Sequence, residues 1–294
     1  MLTVVQSIYN KNPLISVSTQ TSLLALDTLG IEYQYILYND AGDPDAIKDI
    51  PKNILEHKNL EYYYSDFNHG YGVAPGGFTG VIDKIKYPYI LQSNQDDFYT
   101  PSFFSLSLKN IIALDDSYAA VCSNCFHIDE EFEIIGVSLP TEASGRNELW
   151  SNPSQIFDWI FRTNHGPQGP QFIGGDKLSS SNNFILNPGT IYKKELYDTI
   201  GLPSIKTFRG SMDFEYWARA VFNGYKFHYL GLPTWSYMKS SYSHTLINKN
   251  EDGEDDRLTT YNPLIREKYE YLWKNNNYQV RTKPEKTEDL PFKK

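Results

Sequence analysis

Several features that would narrow the chemistry of this chain at once are scarce or missing. There are two cysteines, Cys122 and Cys125, in a single CSNC pair. That is too few ligands for a zinc site unless distant histidines join, and the early βα context of a redox motif is lacking. The pair reads as two ordinary thiols in a reducing compartment. No run of about 18 apolar residues occurs, and the N-terminus shows no basic stretch leading into an apolar one. The expectation is a soluble, cytoplasmic protein with no transmembrane segment. Positive charge is in deficit, 27 basic residues against 36 acidic, a net charge of −9. That balance argues against a long footprint on nucleic acid, without excluding a local one, and favours a metal cation as cofactor. No internal repeat is evident. The acidic stretch 248–257 lacks EF-hand spacing, and the glycine-rich stretch 68–80 (NHGYGVAPGGFTG) fits neither the phosphate loop of NTPases nor the dinucleotide fingerprint.

Aromatics, in contrast, are plentiful: 23 Tyr, 16 Phe and 5 Trp. Such side chains fill cores or offer faces to sugars and bases. With 40% hydrophobic residues the chain can bury a substantial core. Residues 2–7 (LTVVQS) read as a buried first strand that turns polar at Gln6, and apolar spacing with Gly30 as a stop predicts a helix over most of 15–29. A second strand over 32–38 ends in Asn39-Asp40-Ala41-Gly42-Asp43-Pro44, a turn rich in oxygen ligands. A weaker helix is expected over 46–57, a third strand over 60–64, and a helix running out of the glycine-rich stretch to near Lys86. A β-α-β unit with polar strand ends is the layout of a nucleotide site.

The stretch 87–101, YPYILQSNQDDFYTP, organises the rest. It reads as a buried strand that turns polar at Gln92 and delivers Asn94, Asp96 and Asp97 into an acidic loop. In open α/β sheets ligands sit beyond the carboxyl ends of strands, and hard divalent cations take oxygen ligands while sharing the remainder with substrate phosphates. Asp96 and Asp97 would then form the metal and diphosphate end of a nucleotide site. The other reading of Gln-Asp-Asp is a solvated turn or a helix start, where acidic residues are favoured by the helix dipole.

The succession TVVQSIYNKNP, YILYNDAGDPD and NHGYGVAPGGFTGVIDKIKYPYILQSNQDDFYTPSFF resembles the N-terminal half of glycosyltransferase family 2, nucleotide-sugar transferases with the GT-A fold. The resemblance implies that Ser7, Tyr9 and Asn10 pack around the nucleoside. Asn39 and Asp40 match the second turn, where the carboxylate hydrogen-bonds a uracil ring nitrogen. Asn94, followed by Gln95, stands where the first Asp of the Asp-x-Asp motif holds the ribose, and Asp96 matches the metal-binding Asp with Asp97 as its neighbour. Two positions depart from the family: Asn94 lowers the charge of the site, and the arginine often found near Gly77 is missing.

The second half of the resemblance lies over 183–244. FRGSMDFEYW, residues 208–217, resembles the family's Glu-Asp motif, with Met212 replacing Glu and Asp213 keeping Asp. Asp213 is the implied general base. Its other reading is a helix N-cap, a role Ser211 could also fill. A sugar hydroxyl is a poor nucleophile at neutral pH, so a carboxylate must accept its proton as it attacks the anomeric carbon opposite the departing nucleotide, which inverts that centre. In 238–245 (MKSSYSHT), Lys239 and His244 are candidates for the diphosphate and the metal, although a lone histidine in a serine-rich loop is more often surface. The stretch 144–175 is placed on the acceptor side, 129–135 (DEEFEII) reads as an exposed strand, and 261–274 as a terminal helix before a polar tail.

The expected architecture is α/β, a GT-A-like Rossmann-type sandwich with a mostly parallel central sheet flanked by helices. It spans residues 1–245, as a nucleotide-sugar half (1–110) and an acceptor half (111–245), with an appendage over 246–294. The expected activity is inverting transfer of a sugar from a nucleotide-diphosphate donor, a UDP-sugar by the resemblance, to a glycan or other hydroxyl-bearing acceptor, assisted by Mn²⁺ or Mg²⁺. A nucleotidyltransferase and a non-catalytic glycan-binding relic of the fold are the alternatives.

Overall fold

The computed structural model describes residues 1–67, 79–139, 171–173, 188–203, 212–240, 263–265 and 267–269. The first strand, β1 (Leu2–Ile8), is buried along its whole length, as a β-branched strand covered on both faces should be. Helix α1 (Ile15–Leu29) stops at Gly30, whose φ of 62° is a left-handed closure that glycine adopts without strain. β2 (Tyr33–Asp40) is again wholly buried. The helix expected over 46–57 is instead a 3₁₀ turn, Pro44–Ile47, and a single α-turn, α2 (Lys52–Leu55). Pro51 has no N–H to continue a helix and separates the two. β3 (Leu60–Ser65) follows, and the segment ending near Lys86 is 3₁₀ (Thr79–Lys84).

β4 (Tyr89–Ser93) and the short β5 (Asp97–Tyr99) flank the acidic loop. Thr100 then caps α3 (Pro101–Ala113): its Oγ1 accepts from Phe103 N–H at 3.1 Å, and Pro101 occupies the first turn, where no N–H is required. The remaining elements are β6 (Tyr118–Ile128), β7 (Ile134–Leu139), β8 (Gln171–Ile173), β9 (Thr190–Lys193), α4 (Glu195–Ile200), α5 (Met212–Phe222) and β10 (Lys226–Met238). The strand expected over 129–135 begins only at Ile134. The Asp129 carboxylate accepts from Glu131 N–H at 3.1 Å and Glu133 N–H at 2.9 Å, which ties residues 129–133 into a turn with Phe132 at φ 64°.

The sheet runs β3-β2-β1-β4-β9-β6-β10-β5, with β7 and β8 added beside β6. β1 pairs in parallel with β2 and β4, β2 with β3, and β6 with β10. β9 is antiparallel to both β4 and β6, so those two strands point the same way. All six of the parallel strands β1–β4, β6 and β10 therefore end at one edge. One face of the sheet buries α1 and α3 through Leu23, Leu26, Phe103 and Phe104. The other buries α4 and α5 through Leu196, Tyr216, Trp217 and Val221, and the same core takes in Ile265 and Tyr269 from the helical residues 263–265 and 267–269. This is a GT-A-like α/β sandwich. Cys122 and Cys125 lie buried and unbridged within β6.

Candidate functional site

The edge where the parallel strands end is assembled around Gln6. A fully buried amide has to find partners, and Gln6 finds four. Nε2 donates to Ser18 Oγ at 2.8 Å and to the carbonyl of Asn94 at 3.0 Å, while Oε1 accepts from Thr19 Oγ1 at 2.7 Å and Tyr35 OH at 3.0 Å. Ser18 Oγ in turn donates to the carbonyl of Asp97 at 2.6 Å. The network fastens the acidic loop to β1 and to the first turns of α1. From the sequence alone Gln6 is only a polar strand end; its alignment with Ser18 and Thr19, one helix away, carries no local signal.

The turn after β2 is closed by Asn39, whose Oδ1 accepts from Gly42 N–H at 2.8 Å and whose Nδ2 donates to the carbonyl of Asp43 at 2.8 Å. Asp43 N–H donates to the carbonyl of Tyr9 at 2.7 Å, so the loops after β1 and β2 meet backbone to backbone. A Cβ on Gly42 would fall 1.7 Å from that same carbonyl oxygen, which only glycine avoids. Asp40 is fully buried and accepts from Tyr38 OH at 2.7 Å; burial, then this carboxylate, pushes the Tyr38 phenol well above its usual range. Ser7 is buried, Tyr9 half-buried and Asn10 exposed.

In the acidic loop the two carboxylates differ. Asp96 is half-buried and its pKa is raised to about 6 by burial, an effect eased by its own backbone and by Asn12. Asp97 is fully buried and pairs with Tyr237 across β5 and β10; burial, then the charge of Asp96, pushes it well above the usual range. Its Oδ2 accepts from Asn94 N–H at 3.1 Å, whereas Asp97 Oδ1 and Asn94 Oδ1 have no hydrogen-bond partner. Gln95 is buried beside them.

No cluster of three or more His, Cys, Asp or Glu side chains is present among the described residues. The oxygen set that is there, two adjacent carboxylates and an amide carbonyl oxygen, nonetheless suits Mg²⁺ or Mn²⁺, which bind through one or two carboxylates plus substrate phosphates. His244, the remaining metal candidate, lies outside the described residues, as do most of 68–80, most of 144–175, the motif residues 183–187 and 208–211, and 248–257.

Asp213 is half-buried in the first turn of α5. The turn Asn223-Gly224 folds α5 back along β10, with Gly224 N–H donating to the carbonyl of Val221 at 2.9 Å. The start of α5 therefore points to the edge where β10, β4 and β1 end. Lys239, exposed just past β10, reaches the same edge, and its N–H donates to the carbonyl of Ile128 at 2.8 Å. The topology thus gathers Tyr9, Asn10, Asp40, Asn94, Asp96, Lys239 and Asp213 at one edge, while Asn39 is engaged in its turn and Asp97 faces inward.

Two residues after Asp213, Glu215 is fully buried and met by Arg219 Nη2 at 2.5 Å, Tyr269 OH at 2.7 Å and Lys268 Nζ at 3.3 Å. Burial alone would raise its pKa; the charge of Arg219, then Lys268 and Tyr269, more than offsets this and holds the carboxyl below its usual value.

No family model and no curated protein matches the chain. Among solved structures it is similar to that of S. aureus TarS, with a TM-score of 0.50 at 12% identity over 81% of this chain and 36% of that one. TarS 1–349 gives 0.49 at 13% over 81% and 60%, and its complex with UDP-GlcNAc 0.48 at 13% over 83% and 60%. The chain thus spans 60% or less of these neighbours, and at such identities the likeness is one of fold. No helix among the described residues is long and apolar enough to cross a membrane.

Proposed function

We propose that the chain is an inverting glycosyltransferase that uses a nucleotide-diphosphate sugar, a UDP-sugar by its resemblance to family 2. The observation that supports this most is a pair of carboxylates held at raised pKa beyond the carboxyl ends of a GT-A-like sheet, with no Lys or Arg paired to either among the described residues. Burying carboxylates without a cation costs stability, and functional sites are where such costs are kept. Tyr9, Asn10 and Asp40 take the nucleoside, Asn94 the ribose, and Lys239 the diphosphate. Asp96, with the inward-facing Asp97 buried behind it as its neighbour, would hold Mn²⁺ or Mg²⁺, which would supply Lewis acidity toward the leaving diphosphate. Asp213 accepts the proton of the acceptor hydroxyl as that oxygen attacks the anomeric carbon from the face opposite the nucleotide, inverting it.

A thermal-shift and calorimetric screen of UDP, GDP, CDP and ADP, with and without Mn²⁺, tests the reading on the wild type and Asp96→Ala. UDP is expected to stabilise the wild type only with metal, and Asp96→Ala to lose that shift. Binding of none of the four would sink the proposal. Release of pyrophosphate from a nucleoside triphosphate would replace it with nucleotidyl transfer.

A further inference from the structure

Three strands, β1, β4 and β6, place unsatisfied polar groups on the face of the sheet that carries α5. Side chains alternate along a strand, and Val5, Ile90, Ala120, Cys122 and Tyr192 share one core with Tyr216 and Trp217 of α5. Ser7, Gln92, Asn94 and Asn124 continue those alternations toward the edge. The register sets Gln92 beside Val5, so Ser7 and Asn94 form the next polar row. Continuing the pairing of Cys122 with Thr190 sets Asn124 in that row, two strands from Asn94, about 10 Å away.

Gln92 and Asn124 are both 0% exposed, and neither the oxygen nor the nitrogen of either amide has a hydrogen-bond partner. Ser7 Oγ and Asn94 Oδ1 lack partners as well. A buried amide normally finds at least one, as Gln6 does four times over on the opposite face of the same sheet, so two wholly unpaired amides in neighbouring rows call for an explanation. Local packing explains part of it for Asn124. Its β10 neighbour is Pro233, which has no N–H, beyond the bulge at 230–232 where β10 leaves the register.

We infer that Gln92 and Asn124 read the hydroxyls of the transferred sugar. The inference rests on the proposed donor site and identifies which part of the donor this floor meets. The chemistry argues for an uncharged polyhydroxyl ring. Each amide offers a donor and an acceptor, matching a hydroxyl that does both, and neither carries the charge that a phosphate would call for. Asp96 follows Asn94 by two residues and Asp213 begins the helix that packs on the same face, so a ring held by these amides would lie between the diphosphate end and the base.

The test is calorimetry of UDP, UDP-glucose and UDP-GlcNAc, with Mn²⁺, on the wild type and on the near-isosteric Gln92→Met and Asn124→Leu, with thermal unfolding of each. The expected result is UDP affinity unchanged within about twofold and affinity for the preferred UDP-sugar lowered about tenfold or more, the scale of one or more lost hydrogen bonds. Stability should hold or rise, because an unsatisfied amide has been replaced by an apolar group of similar shape. Gln92→Asn, which retracts the amide without removing it, serves if Gln92→Met does not fold, and carries the same expectation of weaker sugar binding. Sugar-nucleotide binding as tight in the variants as in the wild type, or an equal loss of UDP itself, overturns the inference and leaves the donor site standing. Failure of the wild type to bind UDP overturns both.

Discussion

Two of the places where the described residues bury carboxylates are built on opposite terms. Glu215 has a guanidinium, an ammonium and a phenol on it, and its pKa falls below the usual value although it is fully buried. Asp96 and Asp97 have backbone and amide neighbours and no paired cation among the described residues, and their pKa values rise. Glu215 is complete within the chain: it joins α5 to residues 268 and 269 and needs nothing further. The acidic loop is incomplete by the same measure, which is the physical content of calling it a site. A carboxylate satisfied by the protein holds the fold; one left short of positive charge is poised to take it from a ligand.

Removing the closed carboxylate should have the largest effect. Glu215→Ala leaves the buried Arg219 without its carboxylate and is expected to cost about 3–5 kcal/mol in urea unfolding. A loss below about 1 kcal/mol would mean that α5 is held by its aromatic packing rather than by this cluster. Next is Gly42→Ala, which acts on the open side. A Cβ placed 1.7 Å from the Tyr9 carbonyl oxygen forces the loops after β1 and β2 apart. The expected cost is about 1–3 kcal/mol, with UDP binding weakened alongside. Unchanged thermal unfolding and UDP affinity would show that the two loops do not depend on each other.

Asp97→Asn sharpens the contrast because its sign is reversed. The folded-state pKa of Asp97 lies above its unfolded value, so its ionisation works against folding as pH rises from about 4. At pH 7 the variant, without metal or nucleotide, is expected to be more stable than the wild type by about 1–3 kcal/mol, and the gain should vanish near pH 4. Addition of Mn²⁺ with UDP should favour the wild type instead. A variant less stable than the wild type at pH 7 would make Asp97 a structural carboxylate like Glu215.

Much of the fold was legible because its signals are local. β1, β2, β4 and α1 announce themselves through runs of apolar residues bounded by Gly30, Asn39 and Asn94, and the order of motifs along the chain points to the GT-A-like layout. What was not legible depends on partners brought from a distance. Lys268 and Tyr269 stand 53 and 54 residues from the Glu215 they bind, and Asp97 turns inward because β5 pairs with β10, far along the chain. The alternation over 129–135 misleads for a related reason. Acidic and apolar residues alternate as in a strand, but the Asp129 carboxylate captures two backbone N–H groups before a ladder can. At the site itself the polar and acidic strand ends were visible, and the Gln6 network that holds their loop was not, since hydroxyls at positions 18 and 19 of a helix carry no pattern of their own.

The smallest effect separates these carboxylates from a buried histidine of β6. His127 is buried in β6 beside Cys125 Sγ at 3.7 Å and against Tyr237, with ring centroids 5.6 Å apart. Burial, with a lesser contribution from Lys239, lowers its pKa to about 3. The unfolded chain therefore binds a proton near pH 6.5 that the folded chain refuses, and stability falls as pH drops below that value. The loss attributable to His127 is at most about 1.4 kcal/mol per pH unit, and the raised Asp96 and Asp97 oppose it as pH falls toward their unfolded values near 4. His127→Asn isolates the contribution. The stability of the wild type minus that of the variant should shrink steadily from pH 7 to pH 5 in urea titrations, because only the wild type has a ring that must be kept neutral. A difference that stays flat over that range would mean that the imidazole is charged in the folded protein or reaches solvent there. The pH dependence below 6.5 would then come from other groups, among them His228, whose pKa burial also lowers, and the carboxylates.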